Sequence, residues 1–404
     1  MAKVTTDENK IERLLSRGVA EVIEKDHLRE RLLSGERLRV KLGIDPTARD
    51  LHLGHAVILR KLRQFQDLGH LPVLIIGDFT ATIGDPSGKS ETRPELTDKQ
   101  AQENMKNYLK EAGKILDIKN TEVRYNSEWY SNKEATFLMA LASKFTLARV
   151  LERDDFQKRL KESRDIGILE ILYPIFQGYD SFEIRADVEI GGTDQKFNLL
   201  MGRKVQKRFK MKSQDILTVP LLEGLDGIKK MSKSLNNYIG LSDKSTDMFG
   251  KIMALPDDLM VKYFTLLTDV LDEDIDRLQK DRLNPGLATH SPKEWKEKLA
   301  LEIVSICHGE KEAVKAKNNF EATFQRHEIP ADIPEITVSS GGAEIVDLLV
   351  KNNIVSSNAE AKRIIEQRGV TLDGNIVAEW GMKFEIKDGA ILQVGPRRFY
   401  RLKT

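Results

Sequence analysis

The chain has 404 residues, and its 64 Lys and Arg against 63 Asp and Glu give a formal net charge of only +1. A balance this close to neutral excludes a protein that coats nucleic acid indiscriminately, so any contact with RNA must come from a local basic patch. The length allows two or three domains, and 40% apolar with 31% charged residues is the composition of a globular protein.

The cysteine content and the first residues bear on the compartment. The sequence has one cysteine, Cys307, which excludes a disulfide within the chain and favours a reducing environment. The N-terminal stretch lacks the apolar core that a signal peptide needs, and no apolar run approaches the length required to span a membrane. We therefore expect a cytoplasmic protein.

A strand, a helix and a second strand are predicted after an amphipathic helical stretch over residues 8–34, which breaks at Gly18. Leu38 opens a buried strand, the apolar residues of the next segment recur at helical spacing, and residues 71–77 form another buried strand. The pattern predicts a βαβ unit whose helix begins near His52.

The motif His52-Leu-Gly-His55 lies in the first turn of this helix. Both imidazoles lie on one face because they are three residues apart, and Gly54 lets a ligand approach the backbone closely. The N-terminus of a helix favours an anion, so the motif fits a phosphate site. Taken alone, it also fits two ordinary polar residues at a helix start, and the pair lacks the further ligands that a metal site needs.

The loop after the second strand resembles a P-loop but fails its spacing. Gly84-Asp-Pro-Ser-Gly-Lys-Ser90 has three residues between its glycines, where that motif needs four. Lys89 and Arg93 can still bind a polyphosphate, the lysine as a point charge and the arginine as a two-pronged donor. The alternative is a solvated basic loop.

Residues 98–180 are mostly helical in pattern, with one short strand predicted at Glu122–Tyr125. The segment interrupts the alternation of strands and helices, so we interpret it as an insertion between two halves of a nucleotide-binding sheet. Its apolar side chains could form either a core or a subunit interface. They are Phe137, Leu138, Leu141, Phe145, Leu147, Val150 and Leu151.

The alternation resumes with a strand at residues 186–190, the turn Gly191-Gly-Thr-Asp-Gln195, and a helix. Ligands of open α/β sheets bind beyond the carboxyl ends of the strands, where Asp194 would lie. Its carboxylate suits ribose hydroxyl groups, and a helix cap is an equal alternative.

A lysine-rich loop follows the next predicted strand, at residues 216–222. It reads Lys229-Lys-Met-Ser-Lys-Ser234 and is preceded by glycine, which favours a mobile loop. Lysines in such a loop could close over a triphosphate as a gating step.

Prolines and glycines divide the rest of the chain into three segments. Residues 243–325 read as an all-α segment, and residues 327–342, with two prolines and paired glycines, read as a linker. The remainder predicts a compact module of two helices and short strands. Its basic side chains, interleaved with aromatic ones, favour RNA, and a solvated face is the alternative. They include Lys362, Arg363, Arg368, Arg397, Arg398 and Arg401.

Two of these motifs together resemble the nucleotide signatures of class I aminoacyl-tRNA synthetases. His52-Leu-Gly-His55 resembles the "HIGH" motif with Leu in place of Ile, and Lys230-Met-Ser-Lys-Ser234 matches "KMSKS". Further segments resemble the bacterial-type tyrosyl-tRNA synthetase family. They are Asp45-Pro-Thr47, Gly84-Asp-Pro-Ser-Gly-Lys89, Tyr173 to Asp180 and Gly191-Gly-Thr-Asp-Gln195. The C-terminal segment Val355 to Val370 resembles the RNA-binding domain of the ribosomal protein S-four type.

The resemblance implies an α/β fold in four parts. These are a Rossmann-like parallel-sheet catalytic domain at residues 1–240, an α-helical anticodon-side domain at 241–326, a linker at 327–341, and an α+β RNA-binding domain of the S-four type at 342–404. The helical insertion at about 98–180 is the implied dimer interface.

The resemblance also implies an activity. Such an enzyme activates L-tyrosine with ATP and Mg²⁺ to give tyrosyl-adenylate and diphosphate, then transfers the tyrosyl group to the 3'-terminal ribose of tRNA(Tyr). It implies a homodimer, no tightly bound metal ligated by the protein, and no membrane partner.

Site residues follow from the same resemblance, position by position. The implied catalytic residues are Thr47, His52, His55, Lys89, Arg93, Lys230 and Lys233. The implied ATP-binding residues are Asp45, Gly54, Gly192, Asp194 and Lys233. Tyrosine would be bound by Asp85, Tyr173, Gln177, Asp180 and Gln195, with Asp180 accepting from the phenol. RNA would be bound by Lys362, Arg363, Arg368, Arg397 and Arg398.

One position departs from the family pattern. Lys41 stands on the first strand, where the family commonly has a tyrosine that also contacts the substrate hydroxyl. A synthetase for tryptophan is therefore the nearest alternative. A synthetase-like RNA-binding protein without catalysis, or another nucleotidyltransferase, are the others, and a P-loop NTPase ranks last because of the loop spacing.

Overall fold

The computed structural model describes residues 3–46, 50–87 and 98–325 and, further on, 333–338, 343–352, 354–355, 357–377, 379–380, 383–384, 387–395 and 398–403. The chain forms two compact units, Met1–Ala313 and Val314–Thr404. The boundary expected near residue 240 does not separate compact units. One reason is that the Arg17 guanidinium donates to the carbonyls of Phe264 (3.2 Å) and Thr268 (3.0 Å) across that boundary.

The first unit contains one β-sheet with helices on both of its sides. The helices are α1 Glu8–Ser16, α2 Lys25–Leu33, α3 Leu53–Asp67, α4 Thr80–Ile83, α5 Asp98–Ala112, α6 Ser127–Tyr130, α7 Ala135–Ala142, α8 Leu147–Val150, α9 Asp154–Lys161, α10 Ile168–Glu183, α11 Lys196–Arg208, α12 Ser245–Met253, α13 Met260–Leu267, α14 Asp272–Leu283 and α15 Pro292–His308, followed by α16 Glu310–Gln325. The strands are β1 Glu21–Ile23, β2 Arg39–Ile44, β3 Leu71–Ile76, β4 Glu122–Tyr125, β5 Val188–Gly192 and β6 Asp215–Val219. Short 3₁₀ turns occupy Ile118–Asn120, Thr193–Gln195, Asp257–Leu259 and Pro285–Leu287.

The sheet has the strand order β1-β6-β5-β2-β3-β4, in which only β1 is antiparallel to its neighbour. The predicted Rossmann-like fold is confirmed. β5 and β6 are fully buried, as expected for parallel strands covered on both faces. The chain leaves β2 towards β3 on one side, while β5 lies on the other, so the carboxyl ends of β2 and β5 form a switch point where ligands bind in such sheets.

The edge strand β1 was not predicted, because its three half-buried residues fall within a helical spacing of apolar side chains. The insertion is helical as expected, and its strand β4 forms the other edge of the sheet. Of the apolar positions with two possible roles, Leu141 and Val150 are buried. Leu147 is exposed, as are Met139 (71%) and Ile168 (74%), so part of this face remains uncovered within the chain.

The second unit packs α17 Ile345–Lys351 and α18 Asn358–Glu366 with short strands. The strands are β7 Glu335–Thr337, β8 Ala343–Glu344, β9 Val370–Leu372, β10 Asn375–Ile376, β11 Lys383–Phe384, β12 Ile391–Val394 and β13 Arg398–Lys403. Their order is β10-β9-β12-β13-β7, with β11 paired to β8. The assignment to the S-four type stays a prediction.

Part of the segment expected as a linker at 327–341 forms a strand. β7 lies inside it and pairs in parallel with β13, with Ile336 opposite Leu402. Both side chains belong to the buried core of the second unit, so burial of one isoleucine ties this segment to the domain. No helix within the described part of the chain combines the length and apolar character that crossing a membrane requires.

Candidate active site

The two histidines of the first motif begin helix α3, and each uses one ring nitrogen on the backbone. His52 is the N-cap, and its Nδ1 accepts from the Gly54 amide at 3.2 Å. The His52 amide in turn donates to Nδ1 of His55, also at 3.2 Å, and the rings lie 4.0 Å apart between centroids. Because each Nδ1 is an acceptor, each neutral ring carries its proton on Nε2.

Burial keeps both rings neutral. It lowers the pKa of His52 to about 2, with further lowering by His55, Lys233 and Lys230, and lowers the pKa of His55 to about 4, with further lowering by Lys233. Gly54 leaves room for the ring, since a Cβ there would lie 2.9 Å from Cε1 of His52 and would displace the imidazole. The pair therefore offers two neutral N–H donors beside a helix N-terminus.

The lysine-rich loop lies against this turn. The Leu53 amide donates to the Ile239 carbonyl at 2.9 Å, which ties the chain after the loop to the start of α3. Asn237 shapes the loop, since its Oδ1 accepts from the Ser232 amide (2.8 Å) and its Nδ2 donates to Asp226 (2.9 Å). Two segments almost 180 residues apart in sequence thus meet at one edge of the sheet.

Both motif lysines make ion pairs that sequence reasoning missed. Lys233 Nζ lies 3.1 Å from Asp50 Oδ2, and Lys230 Nζ lies 3.2 Å from Asp194 Oδ2. Asp194 follows β5 as predicted, so the second pair joins the loop to the carboxyl end of that strand. Both pairs are part-exposed, which suits contacts that can exchange for a phosphate.

Glu111 of α5 contacts the backbone just before the histidine motif. Its carboxylate accepts from the amide of Leu51, and Asn104 on the same helix donates to the Pro46 carbonyl at 2.8 Å. Burial raises the pKa of Glu111. No sequence pattern indicates this contact, because a helix that follows a loop can pack in many places.

Three carboxylates, Asp180 buried and Asp45 and Asp85 half-buried, lie beside these motifs. Asp45 follows β2 and accepts from Tyr173 Oη and from Thr80 Oγ1, both at 2.8 Å. Burial, together with the charges of Asp85 and Asp180, raises the pKa of Asp45 to about 7. Asp45 was expected on the nucleotide side, and its contact with Tyr173 shows that the expected nucleotide and amino-acid residues meet at this carboxylate.

The second carboxylate, Asp85, accepts from Gln195 Nε2 at 2.7 Å. Asn198 donates to both Gln195 Oε1 (3.0 Å) and Ser87 Oγ (3.2 Å), which links the two segments. Gln177 Oε1 is buried and has no hydrogen-bond partner among the residues that the structure describes. Several carboxylates together with this buried, unpartnered amide oxygen favour a cation such as an ammonium group.

The third carboxylate, Asp180, has two donors that the sequence analysis did not name. Trp129 Nε1 donates to Oδ1 at 2.9 Å, and Asn126 Nδ2 donates to Oδ2 at 3.3 Å. Burial raises the pKa of Asp180 to about 6, and the charge of Lys41 opposes this rise. Asn126 and Trp129 come directly after β4, so the rule that sites lie at the carboxyl ends of strands could have found them.

Glycines leave room where β5 ends. A Cβ on Gly192 would lie 2.7 Å from Asp194 Oδ1 and 3.1 Å from Leu221, so a larger residue would displace the predicted ribose acceptor. Thr47, Lys89 and Arg93, which complete the expected catalytic set, and Arg397 of the expected RNA site lie outside the described residues.

The expected RNA-binding residues lie in the second unit. Arg363 and Arg368 are exposed, while Lys362 Nζ lies 4.0 Å from the centroid of the Trp380 ring. Arg398 donates to the Ile354 carbonyl, so part of its guanidinium is used inside the unit.

The parallel sheet, the paired histidines at a helix start and the lysine loop beside them define a class I aminoacyl-tRNA synthetase. Residues 33–325 match the family described as "tRNA synthetases class I (W and Y)". Residues 325–392 match the "Tyrosine--tRNA ligase SYY-like C-terminal domain".

Curated relatives narrow the class. The chain is 49% identical over 390 residues to a tyrosine–tRNA ligase of Thermotoga maritima, covering 96% of each chain. It is 46% identical over 398 residues to that of Moorella thermoacetica, covering 97% of this chain and 95% of the other. The chain belongs to the tyrosine–tRNA ligase family.

A solved structure shares the fold. A C-terminally truncated mitochondrial tyrosyl-tRNA synthetase of Coccidioides posadasii superposes with a TM-score of 0.63 at 22% identity, covering 76% of this chain and 91% of that one.

Proposed function

We propose that this chain activates L-tyrosine with ATP, giving tyrosyl-adenylate and diphosphate, and then transfers the tyrosyl group to the 3'-terminal ribose of tRNA(Tyr). The observation that carries the proposal is the meeting of the histidine pair and the lysine-rich loop at one sheet edge, beside the three carboxylates Asp45, Asp85 and Asp180. Membership of the tyrosine–tRNA ligase family supports it over a tryptophan enzyme or a non-catalytic RNA-binding protein.

In the first step a carboxylate oxygen of tyrosine attacks the α-phosphorus of ATP in line. The new O–P bond forms as the bond to the diphosphate breaks, and diphosphate leaves with its electron pair. Catalysis then requires placement of the reactants and stabilisation of charge on the leaving group. His52 and His55 would donate through Nε2–H, and Lys230 and Lys233 would supply positive charge.

The lysines must leave their present partners to do this. Lys233 would exchange Asp50, and Lys230 would exchange Asp194, for phosphate oxygens, which frees Asp194 for the ribose next to Gly192. Thr47, Lys89 and Arg93 join this group by family resemblance. Magnesium would enter with ATP as part of the substrate, bound mainly by phosphate oxygens and water.

Tyrosine would lie with its ammonium group among the carboxylates. Asp85, Tyr173 and the unpartnered amide oxygen of Gln177 suit an ammonium group, with Gln195 fixing Asp85. Asp180 would accept from the phenol. Phenylalanine would leave this buried carboxylate without that donor, which is the physical basis for rejecting it.

The remaining parts would serve tRNA and assembly. Residues 241–326 would contact the anticodon side, and the basic residues of the second unit would bind RNA. The uncovered apolar face of the insertion, which includes Met139, Leu147 and Ile168, would pair with a second copy in a homodimer. We also propose a cytoplasmic location, in keeping with the lone cysteine.

Exchange of labelled diphosphate into ATP tests the activity. Exchange should depend on tyrosine and should fall sharply with phenylalanine or tryptophan. Lys233→Ala should slow it by roughly 100-fold or more, because a preorganised charge on the leaving group is lost. Lys229→Ala, an exposed lysine of the same loop, is the matched control and should change exchange little. Equal exchange with tryptophan, or a Lys233→Ala rate close to the parent's, would contradict the proposal.

A further inference from the structure

Lys41 lies at the centre of the sheet and is fully buried, with 0% of its side chain exposed. It stands on β2 directly opposite Glu189 of β5 in the strand register, and Lys41 Nζ lies 2.8 Å from Glu189 Oε1. A buried ion pair contributes little net stability compared with an apolar pair of the same size. Its presence at the base of the proposed tyrosine site therefore calls for a functional reason.

The lysine's ammonium group is enclosed by oxygens of the protein itself. Besides the ion pair with Glu189, Lys41 Nζ donates to the Gln177 carbonyl at 2.9 Å and to Ser181 Oγ at 2.8 Å. Two of these oxygens accept hydrogen bonds, whereas Glu189 Oε1 makes the ion pair without a hydrogen bond. Because 0% of the side chain is exposed, the ammonium group presents no open surface to a substrate. Lys41 thus does not replace the family's tyrosine as a direct partner of the phenol.

What Lys41 holds is helix α10. Gln177 and Ser181 lie on either side of Asp180 along the helix, so both contacts fix the turn that carries the proposed phenol acceptor. Pro174 lies inside the same helix and cannot donate the usual backbone bond to the preceding turn. A helix weakened in this way depends more on outside contacts for its position.

Glu189 connects the ion pair to further polar side chains on α10 and next to β6. Its Oε2 accepts from Ser181 Oγ at 2.9 Å and from Gln214 Nε2. Gly202 of α11 makes room for the carboxylate, since a Cβ there would lie 3.0 Å from Glu189 Oε2. Gly178 likewise lets α10 approach Gly202 closely, with its amide 3.2 Å from a Cβ built at 178. The ion pair is therefore built into a tightly packed junction of α10, α11 and β5.

We infer that Lys41 and Glu189 are a positioning pair that determines selectivity for tyrosine by fixing α10, without touching the substrate. The pair sets the register in which Gln177 and Asp180 face the amino acid, and the positive charge of Lys41 favours the ionised form of Asp180 as a hydrogen-bond acceptor. This inference rests on the proposed function of Asp180.

The test compares three variants by diphosphate exchange. Lys41→Met leaves Glu189 unpaired, whereas Lys41→Met with Glu189→Gln removes both charges and keeps an acceptor for Ser181 and Gln214. Lys61→Met is the matched control, because Lys61 is also buried (3% exposed) but donates to the carbonyls of Leu14 and Arg17, away from the site.

We expect Lys41→Met to raise the KM for tyrosine by about tenfold or more and to lower discrimination against phenylalanine, with the KM for ATP little changed. The double variant should regain the thermal stability of the parent and keep the raised KM for tyrosine. Lys61→Met should lose stability and keep the parent's KM values.

Two results would overturn the inference. One is a double variant in which the KM for tyrosine returns to the parent value together with stability, since that outcome assigns the pair a structural role alone. The other is a KM for ATP that rises as much as the KM for tyrosine. A parent enzyme without tyrosine-dependent exchange would instead overturn the proposed function.

Discussion

Replacement of Asp45 by Asn should stabilise the folded protein at neutral and alkaline pH. Burial, with the nearby charges of Asp85 and Asp180, raises the pKa of Asp45 to about 7, against 3.8 for a free aspartate. Between these values the folded protein keeps a proton that the unfolded chain releases. Stability therefore falls as pH rises through this range, and the full cost is reached only above pH 7.

The magnitude follows from a pKa raised from 3.8 to about 7, which at about 1.4 kcal/mol per pKa unit gives a cost of about 4 kcal/mol at alkaline pH. At pH 5 the same linkage gives a cost of only about 1.5 kcal/mol. Asn carries no charge at either pH, and its amide can still hydrogen-bond Tyr173 and Thr80. The Asn variant should thus gain about 2–3 kcal/mol more over the parent at pH 8 than at pH 5.

Urea unfolding of parent and variant at the two pH values measures this difference. Asp226→Asn is the control, because hydrogen bonds from backbone amides, first that of Ile228, lower the pKa of Asp226. Its effect should be the same at pH 5 and pH 8, both of which lie above its pKa. An Asp45→Asn variant whose gain is equal at both pH values would refute the reasoning.

Three further predictions concern catalysis and RNA. Trp129→Phe removes a hydrogen bond to the charged Asp180, which is worth about 1.5–3 kcal/mol. The KM for tyrosine in exchange should therefore rise about tenfold or more, while the KM for ATP stays the same. An unchanged KM for tyrosine would contradict this role of Trp129. Glu111→Ala leaves a buried amide before the histidine motif unpaired and should slow exchange, with Glu111→Gln restoring most of the rate; equal loss in both variants would contradict this role. Arg363→Glu with Arg368→Glu should raise the KM for tRNA in aminoacylation without altering exchange, and reduced exchange would show that the effect is not confined to RNA.

Local patterns in the sequence were enough for much of the first unit. The helix predicted to begin near His52 has His52 as its N-cap, and the strand predicted at Glu122–Tyr125 has those bounds in the structure. Both predictions depend on contacts within a few residues, such as a capping hydrogen bond or an apolar run. Elements held by distant partners were missed. β1 exists only because it pairs with β6, and β7 because it pairs with β13.

In the candidate site, too, some residues could be predicted from the sequence and others could not. The residues that the sequence identified are those whose type and spacing indicate their chemistry, such as the histidine pair, the motif lysines and Asp180. The sequence did not identify their partners, such as Asp50 for Lys233, Glu111 for the motif backbone, or Trp129 for Asp180, because an isolated carboxylate or indole has no local signature.

The sequence alone thus determined the chemistry at the sheet edge, since charge, hydrogen-bonding groups and backbone freedom are properties of residues and short segments. Only the tertiary structure decided which groups face one another, and so which pKa values shift. Burial is set by the packing of the whole unit. Lys41 illustrates the difference, because its sequence position marks a departure from the family, while its three buried contacts explain what it can and cannot do.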